Sequence, residues 1–402
     1  MSRKEVLLLF VLASINFTNI MDFMTMMPLQ EFLEKSFDIL PRQFGFVVSA
    51  YAFSAFAASM TASFIADRFD RKKVLLFAFS GLIVGTITCG LANSFALLLT
   101  ARIIAGLFGG LISAQALSIV GDIFPYEKRG RAMGILMSGF SLAAIAGVPI
   151  ALFVATKTNW QIPFIGIGVL GIILFAVAFF AIPNMTGHIK NEKERNIFVV
   201  YQSVLRNRNQ QFALLMMVTL IFAHFSTIPF IAPYLTNNTG FLQEQLPLMY
   251  FFGGISSMII SPLVGKLSDK FGKHKIFTIF LLLSVIPVFL LTNLTRVPYY
   301  YVLVVTTLFF IVAGGRLVPA QALVTSVVPP GMRGGFMNLN ASLQQLGLGL
   351  TSFMGGWIIT KNPAGELEHY NIIGYISIAV SLICLAITWQ VKAVQVVQTD
   401  KI

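Results

Sequence analysis

The sequence predicts an all-α membrane protein of twelve transmembrane helices, arranged as two pseudo-symmetric six-helix halves. Three observations carry that prediction. Hydrophobic residues make up 56% of the 402 residues and charged residues only 11%, more apolar surface than a soluble domain of this length could hide. Twelve runs approach the roughly 20 apolar residues that a bilayer-crossing helix needs, and none shows the short alternating pattern of a membrane β-strand. Finally, the chain repeats itself. Ser63 to Lys73, with Asp67 and Arg68, recurs as Gly265 to Lys275, with Asp269 and Lys270, at an offset of 202. Ala114-Gln115-Ala116-Leu117 recurs at Ala320-Gln321-Ala322-Leu323, and Pro125 with Arg129-Gly130 is echoed by Pro329 with Arg333-Gly334. Paired halves in a membrane protein imply a site between them.

In chain order the spans are expected at 5–30, 43–66, 73–93, 96–124, 130–155 and 160–183, then 210–236, 246–267, 275–295, 298–327, 333–360 and 371–392. The first run is too long for a cleaved signal peptide and lacks a small-residue cleavage site, so it reads as a helix of the fold. The domains are then 1–183, a polar linker at 184–209, and 210–402. Within the linker, Ile197 to Leu205 with Arg206 and Arg208 reads either as part of a plain tether or as a short amphipathic helix on the membrane surface.

Placing both termini in the cytoplasm leaves only Lys35, Arg42, Lys157, Arg296 and Lys361 in outer loops, and Arg102 and Arg316 within spans, out of 28 basic residues. That asymmetry obeys the positive-inside rule. It accounts for the net charge of +12 without nucleic acid, and gives the basic loops anionic lipid to meet. Cys89 and Cys384 lie in apolar runs and read as packing residues. No Walker A loop, nucleophile elbow or metalloprotease helix is present, so neither an enzyme nor an ATP-driven pump is expected, and no cofactor or metal is called for.

An ionisable group inside a span costs roughly 2.5–3.5 kcal/mol on insertion scales, so it faces a partner or a water-filled path. Asp22 is the carboxylate nearest the middle of any span, in a first helix also rich in amides and hydroxyls. Thr18, Asn19 and Thr25 share its face at helical spacing, so Asn19 and Thr25 are candidate substrate contacts. The 202 offset carries Asp22 onto His224, which suggests that the two face each other across the halves, where both can change protonation near neutral pH if burial raises the pKa of the carboxylate. The alternative is an aspartate satisfied by Asn19 or Thr18 and a histidine packed in an apolar wall. Arg316 has no cationic counterpart in the first half and reads as a binding residue for an anionic or hydrogen-bonding substrate, or else as bonded to nearby backbone carbonyls. Asn340 and Gln344 share a face of span 11 and are further substrate candidates. Most of the 38 phenylalanines are expected to face lipid, while Met side chains would give adaptable cavity walls.

Asp67-Arg68-x-x-Arg71-Lys72 and its better-matching copy through Asp269 and Lys273 resemble the signature loop of the major facilitator superfamily, with Ser63 and Asp70 where glycines are usual. Arg102 to Gly110 in span 4, with Ala105 in place of a usual glutamine, resembles the twelve-span drug:proton antiporter and sugar-efflux group. So do Gly139, Gly147 and Pro149 in span 5, with Val148 separating glycine from proline, although packing alone could explain those small residues and the proline bend. The resemblance implies a major facilitator fold in an inner membrane, alternating access, and a role for Arg102 in proton coupling. It also implies that Asp67 latches the halves, with Arg68, Arg71, Asp269 and Lys273 around it. The expected function is proton-coupled efflux of a small amphipathic drug or metabolite by a monomer. A nutrient-importing symporter or uniporter, with Arg316 on an anionic group, is the alternative; a non-transporting receptor would leave the coupling charges unexplained.

Overall fold

A computed structural model describes residues 3–65, 69–124, 126–185, 197–329 and 332–392. The first half is built from α1 (Arg3–Met26) continued by α2 (Gln30–Phe37), α3 (Pro41–Ile65), α4 (Arg71–Gly90), α5 (Phe95–Ile123), α6 (Tyr126–Leu142) continued by α7 (Val148–Lys157), and α8 (Gln161–Ala181). After α9 (Ile197–Arg206) come α10 (Arg208–Phe225) with α11 (Ile228–Asn238), and α12 (Leu246–Phe271). The second half is completed by α13 (Lys273–Leu283) with α14 (Val285–Thr292), α15 (Tyr299–Ser326), α16 (Arg333–Ile358) and α17 (Tyr370–Thr388).

Eleven of the twelve expected spans are long and apolar enough to cross a membrane by themselves. The other, α16, is as long but carries Asn338, Asn340, Gln344 and Gln345 in one stretch, and it earns its place by packing along α3 of the first half. The broken spans have local causes. In span 5 a π-helical turn at Ala143–Gly147 precedes Pro149, whose missing N–H cannot continue a regular ladder. Met27–Leu29, with Pro28, forms a single 3-10 turn between α1 and α2.

The two copies of the signature loop solve the same turn by different chemistry. Gly272 sits at φ +94, a backbone that favours glycine, between α12 and α13. Asp70, where the first copy lacks that glycine, instead caps α4: its carboxylate accepts the Lys72 N–H at 2.9 Å and the Met185 N–H at 3.0 Å. The side chain thereby ties the start of span 3 to the chain leaving span 6. Asp67 and Arg68 lie outside the described residues. Arg71 is buried at the first turn of α4; Asp269 is exposed at the end of α12 and Lys273 half-buried at the start of α13.

Within the linker, residues 197–206 form a short helix, with Val204 buried against the second half and Leu205 exposed. Many phenylalanines, Phe77, Phe153 and Phe180 among them, are exposed on the helical surface, as a lipid-facing role requires. Both cysteines are free and buried.

The halves meet closely at the end away from the linker. A Cβ on Gly45 of α3 would stand 2.8 Å from the Ser352 carbonyl oxygen and 2.9 Å from Gly356 Cα of α16, so only a bare backbone fits that crossing. Beside it the Arg42 guanidinium lies over the Trp357 ring at 3.2 Å. Glu34 of α2, buried and also held by Gln30, accepts from Lys361 of the other half at 2.8 Å. Lys361 belongs to a two-stranded hairpin, Thr360–Lys361 with Leu367–Glu368, which Asn238 of α11 clamps through both backbone groups of Leu367.

Candidate functional site

The first and fourth spans of each half carry the charged chemistry. In the first half, Asp22 and Arg102 are both fully buried, with Oδ2 to guanidinium at 2.8 Å. Thr86 donates to the other carboxylate oxygen at 2.8 Å, and the Arg102 guanidinium also lies over the Tyr51 ring at 4.4 Å. Both carboxylate oxygens are therefore held, and the pair is electrically neutral. Leaving either partner alone there would cost about 3–5 kcal/mol.

In the second half His224 takes the place of the acid. Arg316 is 1% exposed and donates to His224 Nδ1 at 3.2 Å and to Ser284 Oγ at 3.0 Å, and its Nε has no partner. An arginine only donates, so Nδ1 accepts and the imidazole is the neutral tautomer with its proton on Nε2. The ring is fixed by stacking on Phe309 at 5.9 Å and by the edge of Phe225 at 5.0 Å. No carboxylate among the described residues pairs with Arg316.

His224 also borders a cavity of about 150 Å³ between the halves. Met24 and Phe140 line it from the first half; Phe225, Tyr250, Ser257 and Phe310 are among those lining it from the second. Its walls are mostly apolar. A smaller crevice, lined in part by Ser59, Ser113, Asn338 and Gln345, lies between spans 2, 4 and 11.

The expected cross-half approach of Asp22 to His224 is replaced by two pairs, each inside its own half. Facing helices of one half offer each group a strong donor nearer than the other half does. Arg316 bonds His224 and Ser284 rather than the backbone carbonyls near Gly314. Asn19 is occupied: it accepts from Tyr51 at 2.8 Å and donates to the Gly109 carbonyl and Ser113, which makes it a tie within the first half. Thr25 is buried with its hydroxyl unpartnered, and Asn340 is buried with both amide atoms unpartnered; neither lines the two cavities. Gln344 is half-buried and lines neither. On α16 the crevice takes Asn338, Ala341 and Gln345 instead, whose i, i+3, i+7 spacing puts them on another face from Asn340 and Gln344. In span 5 a Cβ on Gly147 would run into the Met21 side chain of span 1, whereas one on Gly139 would stand at an ordinary 3.4 Å from Ala13 and Phe17; Pro149 lies just beyond.

Sequence reasoning missed Tyr51, Thr86 and Ser284. Ser284 is an isolated hydroxyl in an apolar run, which is the one signal that could have drawn notice.

Comparison with known proteins places this geometry. Residues 12–292 and 213–399 match the Major Facilitator Superfamily profile. The chain is 25% identical over 339 residues to a probable sugar efflux transporter of Helicobacter pylori (strain ATCC 700392 / 26695), covering 81% of this chain and 85% of that protein. It is 23% identical over 316 residues to the uncharacterized MFS-type transporter YbcL of Bacillus subtilis (strain 168), covering 78% and 79%. Among solved structures, a D-xylose–proton symporter superposes with TM-score 0.79 at 16% identity, over 97% of this chain and 98% of that one. An inward-facing bacterial homolog of the human lysosomal transporter Spinster superposes with TM-score 0.70 at 19% identity, over 89% and 83%. At those identities the superpositions speak to fold alone.

Proposed function

Because this chain belongs to the major facilitator superfamily, we propose that it exports a small amphipathic compound in exchange for protons, by alternating access of one cavity between its halves. The observation that carries the proposal is the sealed Asp22–Arg102 pair. Apolar residues of similar volume would fill that place at no greater cost, so a fully buried carboxylate held by an arginine and a threonine has a use beyond packing. It becomes useful when rearrangement of the halves lets it trade its arginine for a proton. The mostly apolar cavity, with methionine and aromatic walls and a few polar groups, suits an amphipathic cargo. The likeness to probable sugar efflux transporters supports the outward direction.

The same reading puts the protein in an inner membrane as a monomer with cytoplasmic termini. The tie through Glu34 and Lys361 then lies on the outer face, and Asp67, Arg68, Arg71, Asp269 and Lys273 form the inner latch. The test is flux in proteoliposomes under an imposed pH gradient, followed for a cationic dye, a monosaccharide and benzoate. Export predicts movement of at least one of them against the direction of proton flow. Movement with the protons, or flux indifferent to the gradient, overturns it.

A further inference from the structure

The second half holds a buried positive charge that no carboxylate among the described residues neutralises. Arg316 is almost fully buried, bonds only the neutral acceptors His224 Nδ1 and Ser284 Oγ, and leaves Nε unpartnered. The equivalent place in the first half is neutral, because Asp22 stands where the offset of 202 puts His224. A lone buried charge is costly, and a guanidinium cannot discharge itself by losing its proton. One residue away from that charge lies the cavity. His224 borders it, and Nε2, the nitrogen carrying the proton, has no hydrogen-bond partner among the described residues.

We propose that the His224–Arg316 pair is the recognition point for an anionic headgroup, so that the cargo is a small organic acid with an apolar body. This deepens the export reading above by naming the cargo class, and it rests on that reading only for the use made of the bound acid. His224 offers the direct donor, Nε2–H, to the anion. Arg316 is a positioning residue: its donation to Nδ1 keeps the ring's single proton on Nε2, and its charge makes the end of the cavity electropositive. The remaining walls, Met24, Met27, Phe140, Ile228, Tyr250 and Phe310, take the body. Size narrows the body further, since a cavity of about 150 Å³ accepts about one aromatic ring.

Benzoate, benzamide and benzylamine share one ring and differ in headgroup charge. Their equilibrium binding to the full chain in lipid nanodiscs, with empty nanodiscs subtracted, tests the proposal without any gradient. Benzoate should bind at least about tenfold more tightly than benzylamine, with benzamide between. Arg316→Ala should flatten that ratio, Arg316→Lys should restore part of it, and His224→Gln, which keeps one acceptor and one donor, should retain most of it. Should Arg316→Ala fail to fold, His224→Phe decides, because it keeps the ring stacked on Phe309 and removes both nitrogens. Equal binding of the three ligands, no benzoate binding, or a preference that survives both Arg316→Ala and His224→Phe overturns the proposal. So does a loss that is the same for all three ligands. Selective benzoate binding without gradient-driven flux would retire the export reading alone. Gradient-driven dye export by a protein that ignores benzoate would retire this inference alone.

Discussion

Asp22 and His224 occupy corresponding places in the two halves, and each holds the buried arginine of its own half: Asp22 holds Arg102 at 2.8 Å, His224 holds Arg316 at 3.2 Å. The same helix pair thus carries a neutralised ion pair on one side and, on the other, a cation with no carboxylate partner among the described residues. In the proposed function the first arrangement takes up the proton and the second the anion. The proposed exchange of protons for an acid would use both, and the pseudo-symmetry supplies them from one scaffold.

Asp22→Asn should abolish pH-gradient-driven flux. It also strands Arg102, so the melting temperature should fall in keeping with a loss of about 3 kcal/mol. The double variant Asp22→Asn with Arg102→Gln removes the stranded charge and should recover most of that stability without recovering flux. Thermal unfolding and proteoliposome flux on the three proteins separate coupling from folding. Normal driven flux in Asp22→Asn would remove Asp22 from the mechanism.

The Glu34–Lys361 contact should hold the halves together at the end away from the linker. Its partners are partly screened, so breaking it with Lys361→Glu is worth about 1 kcal/mol, or about a fivefold shift toward opening there. A cysteine at a position behind the contact should react faster with a water-soluble maleimide. The charge swap Glu34→Lys with Lys361→Glu should return the rate toward the starting value, and failure to do so would make the contact incidental.

Gly45→Leu should wedge spans 2 and 11 apart, because even its Cβ would stand 2.8 Å from the Ser352 carbonyl oxygen. The expected readouts are a lower melting temperature and greater labelling at the same end. Gly166→Leu is the control, since nothing lies within 4 Å of a Cβ there and the position is exposed. Equal effects of the two changes would mean that the crossing carries no special constraint.

Asp70→Ala removes the cap of span 3 and the bond to Met185, and should cost about 1 kcal/mol of stability. Gly272→Ala should cost a similar amount for a different reason, the strain of a side chain at φ +94. Asp70→Asn keeps an acceptor and should lie close to the unaltered protein in thermal unfolding. If Asp70→Ala and Asp70→Asn behave alike, the cap contributes nothing.

The membrane class, the twelve spans, the pairing of the halves and the correspondence of Asp22 with His224 were all legible in the sequence. Each follows from properties that act along the chain: apolar run length, the separation of basic residues, and an internal repeat. The stretch 333–360 was read as one of the apolar runs, although α16 by itself is too polar to pass as a span. Arg102 and Asp22 were each legible as charges within spans, and a buried charge in a membrane needs a partner or a water-filled path. Which polar groups meet was left to the tertiary structure. Only helix rotation and crossing distance decide that Asp22 turns to Arg102 and Thr86 instead of His224, that Asn19 is consumed by Tyr51 and Ser113, and that Asn338 and Gln345 line a crevice while Asn340 and Gln344 do not. Hydrogen bonds and ion pairs are made over about 3 Å, whereas a helix turned by one residue moves a side chain by 100° around its axis. The sequence by itself determined what kinds of groups the membrane interior would contain; packing of the two halves decided which of them would stand beside the cavity with a charge unspent.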